Sequence, residues 1–81
     1  MDLHIILAQK RKQAGFTQKE LAEKLKMSTY QMISNWERGI CQPPIGRISE
    51  ISNILGMDSD KLFKLVMTEK EKKAKRKAKL N

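Results

Sequence analysis

Tyr30, Gln31, Ser34, Asn35 and Arg38 fall within nine residues of a helical stretch whose inward positions, Ile33 and Trp36, are three apart. The amide side chains of Gln31 and Asn35 donate and accept hydrogen bonds together, which matches the N6 and N7 atoms of adenine in a DNA major groove. Arg38 can take guanine or, at the far end of the stretch, a phosphate, and Tyr30 can pack over a sugar-phosphate or a thymine methyl. We expect Tyr30, Gln31, Ser34 and Asn35 to read bases, with Thr29 and Arg38 on phosphates. Folding does not need a carboxamide-rich face, although a merely solvated polar face has the same composition.

Other chemistries find little support. Cys41 is the only cysteine and His4 the only histidine, so a disulfide within the chain is excluded and a four-ligand zinc site lacks thiols. No nucleophile is paired with a base, no carboxylate pair sits in an apolar context, and no Gly-rich phosphate loop occurs. We expect neither enzymatic activity, nor a cofactor, nor a metal.

The reading face must be held by short helices. Asp2 can cap a first helix from Leu3 to Ala14, with Leu3, Ile6, Leu7 and Ala14 as its apolar stripe, and Gly15 ends it. Thr17 and Glu20 form a T-x-x-E capping box, so a second helix starts at Gln18 and buries Leu21, Ala22 and Leu25. Counting back from Ile33 and Trp36 puts Thr29 at the N-cap of the third helix and Tyr30 at its first position, although Ser28 with Gln31 also matches a capping box. Gly39 stops this helix, and Pro43-Pro44 keeps it from resuming. A fourth helix is predicted over 44–55, with Pro44 in its first turn. A fifth is capped by Asp58 or Ser59, with Leu62, Phe63 and Val66 facing inward. Strand signals and internal repeats are absent from the sequence, so an all-α fold of five short helices is predicted.

The chain has 81 residues, 40% of them hydrophobic, and a formal charge of +8. That length suits one small domain, residues 1–68, followed by a basic tail, 69–81, that extends the last helix or is disordered. Residues 70–81 carry seven Lys/Arg against one acid, so the tail supplies +6 of the total. Lys73 and Arg76 are expected on phosphates, adding affinity without specificity, although a solubilising tail has the same composition. No apolar run approaches the ~18 residues of a membrane span. The LHIIL segment is too short and too closely flanked by charge for a signal peptide. We therefore expect a cytoplasmic, nucleoid-associated protein.

Residues 7–56 resemble the Cro-type, lambda-repressor-like helix-turn-helix proteins, also called the XRE family. The resemblance rests on T-Q-K-E-L-A at 17–22, I-S-N-W-E-R-G at 33–39, Pro43-Pro44, and I-x-x-I-S-x-I-L-G ending at Gly56. It implies a five-helix fold with the helix-turn-helix on helices two and three, double-stranded DNA as ligand, and a homodimer on a palindromic operator. By position it also implies that Gln18 binds a phosphate and that Arg11 pairs with Glu37 behind the third helix. Ala22, Ile33 and Trp36 would support the crossing. Two departures stand out: Lys26 occupies a position where many members have glycine, and the turn before Ile33 is one residue longer than the commonest pattern.

The expected function is a sequence-specific transcriptional regulator, a repressor by the family's usual mode. Surplus apolar residues at Ile40, Ile45, Leu65 and Met67 point to the dimer. The runner-up is an antitoxin-like adaptor that grips a protein partner through its fifth helix or tail, with DNA binding secondary. RNA binding ranks lower, because three of the four aromatics (Phe16, Tyr30, Trp36 and Phe63) are expected to be buried rather than to form a stacking platform.

Overall fold

The structure, a computed structural model, describes the backbone of residues 2–80 and the side chains as far as Lys72. Five α-helices follow in order: α1 (Leu3–Gln13), α2 (Gln18–Lys24), α3 (Gln31–Glu37), α4 (Ile48–Leu55) and α5 (Ser59–Leu80). A 3-10 turn, Ile45–Arg47, precedes α4, and no strand occurs among the described residues. The all-α, five-helix architecture is the one the sequence predicts. All five helices contribute to one buried cluster, built on Leu3 and Leu7, Leu21 and Ala22, Ile33 and Trp36, Ile51 and Leu55, and Leu62 and Val66. None of these helices is long enough to be stable alone without tertiary packing except α5, so the shared core is what fixes them.

The first four helices end in one way. In each, an N–H bonds back to the carbonyl five residues earlier: Phe16 to Arg11 at 3.1 Å, Met27 to Ala22 at 2.9 Å, Ile40 to Asn35 at 3.0 Å and Met57 to Ser52 at 2.8 Å. This closure needs a left-handed residue just before the donor. Glycine fills that place at 15, 39 and 56, but at 26 it is a lysine with φ of +57°. The following apolar residue packs on the core as Phe16, Met27 and Met57.

A lysine held left-handed costs about 1–2 kcal/mol, of which glycine would return part through its own larger unfolded-state entropy. Lys26→Gly is therefore expected to stabilise the protein by about 0.5–1 kcal/mol, raising the melting temperature by roughly 2–8 °C. An unchanged or lower midpoint in thermal unfolding followed by circular dichroism would show that the strain at Lys26 is relieved elsewhere.

Several local expectations are corrected. Asp2 stands at the N-cap of α1 but its side chain makes no capping hydrogen bond, and instead lies 3.8 Å from Lys72 Nζ. Ala14 is exposed, and Arg11 takes the buried position expected of it. The α-helical fourth segment begins at Ile48, because Pro44 is extended (φ −62°, ψ 144°) and the chain first makes the 3-10 turn. On α5, Leu62 and Val66 are fully buried while Phe63 is 44% exposed. The expectation of three buried aromatics fails with it: only Trp36 is buried, Phe16 is half-buried, and Tyr30 is 52% exposed. The start of α5 is held by Asp58, whose Oδ1 accepts the N–H of Asp60 at 2.8 Å.

Candidate nucleic-acid interface

Helices α2 and α3 form the helix-turn-helix unit. The first turn of α2 closes on itself: Thr17 Oγ1 accepts the N–H of Glu20 at 3.0 Å, and Glu20 Oε1 accepts that of Thr17 at 3.0 Å. These hydrogen bonds, first from the Thr17 backbone and then from its side chain, hold the Glu20 carboxyl below its ordinary range. Ala22, 2% exposed, is the small residue on α2 beneath the crossing, and Leu25, Ile33 and Trp36 lock it.

The start of α3 differs by one residue from the expectation. Tyr30, not Thr29, is the N-cap, with αR backbone, and α3 begins at Gln31. Thr29 still serves the helix start, since its Oγ1 accepts the N–H of Gln31 at 3.0 Å. The extra residue of the turn thus lies among 26–30, where Lys26 adopts its left-handed conformation. Tyr30, Ser28 and Thr29 border an open groove of about 320 Å³ that runs between them and Lys19 and Glu23 of α2.

On α3 the inward residues are Ile33 and Trp36. Gln31 and Arg38 are exposed, and Ser34 and Asn35 are half-buried on the flank of the same surface. Gln31 Nε2 donates to Asn35 Oδ1 at 3.2 Å, and Arg38 Nη2 donates to the same oxygen at 3.0 Å. Gln31, Asn35 and Arg38 are therefore connected along the helix rather than independently solvated.

Behind α3 lies an ion pair. Arg11 Nε donates to Glu37 Oε2 at 2.6 Å and Nη2 to Glu37 Oε1 at 3.0 Å, while Nη1 donates to the Phe16 carbonyl at 2.7 Å. The side chains are only 11% and 8% exposed. The hydrogen bond to Glu37 raises the Arg11 pKa above its ordinary value, against the opposing effect of burial. Gln18 Nε2 also donates to Glu37 Oε1, at 3.1 Å. Gln18, expected on a phosphate, thus ties the start of α2 to the end of α3. Of the first-turn N–H groups of α2, that of Glu20 goes to Thr17 Oγ1, while those of Gln18 and Lys19 have no intrahelical acceptor.

Arg47 is a supporting residue that the sequence does not disclose. Its Nη1 donates to the Leu25 carbonyl at 2.9 Å, clamping the end of α2 from the 3-10 turn. The acceptor is a backbone carbonyl 22 residues away, and a backbone acceptor leaves no mark on residue type. Lys73 and Arg76, also expected on phosphates, lie outside the residues whose side chains are described. Among the described residues no group of three or more His, Cys, Asp or Glu could hold a metal ion, and no helix is long and apolar enough to cross a membrane.

A comparison with curated proteins gave no match. A family profile described as HTH_3, Helix-turn-helix, matches residues 7–62, which run from the middle of α1 to the first turn of α5 and include all of α2 and α3. With that match over well more than half of its length, the chain belongs to the helix-turn-helix family of XRE, lambda-repressor-like DNA-binding regulators.

Proposed function

We propose that this protein is a sequence-specific regulator that binds the major groove of double-stranded DNA as a homodimer on a palindromic operator and acts as a repressor. The observation that carries the reading is the outer surface of α3. It presents Tyr30, Gln31, Ser34 and Asn35 on a helix braced from behind by Arg11 and Glu37. Two neutral amides and two hydroxyls suit base edges better than bulk electrostatic attraction. Residues 17–39 hold four bases and three acids, so this unit contributes little of the net charge. Thr29, the α2 start at Gln18, and the basic tail with Lys73 and Arg76 would supply phosphate contacts that position without specifying. Exposed Ile40 and Ile45, 55% and 46%, together with Met67 on α5, support a dimer, whereas Leu65, also expected to be surplus, packs against the core.

The test is selection of DNA from random duplexes at near-physiological salt, repeated with Gln31→Ala and Asn35→Ala. Each variant is expected to lose about 1–3 kcal/mol of discrimination at particular base pairs. Uniform weakening across all sequences would instead assign these residues to the backbone. Sedimentation that shows a monomer at every concentration, with one chain bound per operator, would remove the dimer.

A further inference from the structure

The wiring of the α3 surface constrains what each member can still offer. An amide oxygen has two lone pairs. Asn35 Oδ1 accepts from both Gln31 and Arg38, so its acceptor capacity is used within the protein. What Asn35 turns to a ligand is its Nδ2 amine, which only donates. A carboxamide that pairs with adenine needs its oxygen for the N6 amine and its nitrogen for N7 at once, and here the oxygen is taken.

Arg38 is the complementary half. A guanidinium has five N–H donors, and one of them goes to Asn35, which leaves four. Among the described residues no carboxylate lies within 4.0 Å of it, and its neighbour Glu37 is occupied by Arg11 and Gln18. Among the described residues the cation therefore has no ion-pair partner, and its side chain is tied to a residue one turn earlier on α3. A phosphate anchor needs no such tether. Asn35 and Arg38 together present donors without acceptors, and the major-groove edge with two adjacent acceptors is that of guanine, O6 beside N7. A planar fork matches that pair bidentately.

We propose that Arg38 reads a guanine in each half-site, with Asn35 as the positioning residue that aims it. The inference rests on the DNA-binding reading above, extends it to the last turn of the helix, and moves Asn35 from reading a base with both amide groups to aiming Arg38.

The experiment takes the operator selected by the wild-type chain and replaces each guanine in turn with 7-deazaguanine, which lacks the N7 acceptor. Binding is measured with wild type, Arg38→Ala and Arg38→Lys. At one guanine per half-site the wild type is expected to lose affinity on the order of 5- to 150-fold, and Arg38→Ala is expected to be indifferent there. Arg38→Lys should keep part of the preference. Asn35→Ala should weaken discrimination at that same guanine and add nothing in the Arg38→Ala background, whereas an Asn35 that reads a base by itself would act independently of Arg38 and overturn its positioning role. Because Arg38 is exposed, unchanged melting temperatures serve as the folding control. The proposal is overturned if Arg38→Ala weakens all sequences alike and lowers the slope of log affinity against log salt by about one. Guanines that stay equally important without Arg38 overturn it alone, whereas selection that enriches no sequence sinks the DNA reading and this inference together.

Discussion

Arg11→Ala is expected to destabilise the protein by about 3–5 kcal/mol, because it leaves the Glu37 carboxylate buried without its principal partner. A domain of this size has roughly 4–12 kcal/mol of total stability, so the loss is a large fraction of it. The melting temperature should fall by roughly 15 °C or more. Two features make the pair expensive to break. Both side chains are about nine-tenths buried, and the contact is a two-pronged fork reinforced by the Phe16 carbonyl and by Gln18. Glu37→Ala should cost a similar amount by stranding the guanidinium. The double replacement Arg11→Met with Glu37→Leu should recover most of the loss, since apolar pairs of similar volume are often as stable as buried ion pairs. Double-mutant analysis by thermal and urea unfolding checks this. A loss below about 1 kcal/mol for either single variant would mean that water reaches the pair as it reaches surface salt bridges.

Trp36→Ala should be nearly as damaging, at about 3–5 kcal/mol, through loss of the largest side chain at the α3 crossing and the cavity it leaves. Trp36 is 3% exposed and lies where Leu3 and His4 of α1, Gly39, Cys41 and Glu69 of α5 come together. Its Nε1 is buried and has no hydrogen-bond partner among the described residues. An unpartnered buried donor opposes folding by about 1–3 kcal/mol, so a substitution that removes it while keeping a ring recovers part of the packing loss. Trp36→Phe is accordingly expected to cost less than about 2 kcal/mol. Chemical unfolding read by circular dichroism distinguishes the cases. A phenylalanine variant as unstable as the alanine one would show that the indole N–H is satisfied in solution and contributes to stability.

The parts of this molecule that were readable in the sequence are those that act over a few residues. Thr17 and Glu20 announce the start of α2 because both partners of the capping box lie within one turn. Gly15, Gly39 and Gly56 mark helix ends because the left-handed closure favours a residue without Cβ. The register of α3, with Ile33 and Trp36 inward, is the one the sequence predicts, but the helix starts one residue later than expected. Thr29 caps through the N–H of Gln31, two residues on, which lets Tyr30 take the N-cap position with no capping side chain of its own. Phe63, expected inward, is exposed for a different reason. An apolar residue next to Leu62 and near Val66 lies at the edge of the buried stripe, and only the packing of α5 against α4 and α1 decides whether that edge is covered.

By itself, the sequence determined the order and type of the helices, the identity of the α2–α3 unit, and the polar composition of its outer surface. Spacing, caps and apolar periodicity act locally and survive in any context. Tertiary structure alone decided how that surface is supported and what it can still offer. Arg11 meets Glu37 across 26 residues, Gln18 meets it across 19, and Arg47 reaches Leu25 across 22. The same holds for the sharing of Asn35 Oδ1 by Gln31 and Arg38. Those residues are at helical spacing, but which side-chain atoms meet depends on rotamers, and the packed core and the solvent-facing surface around α3 select them.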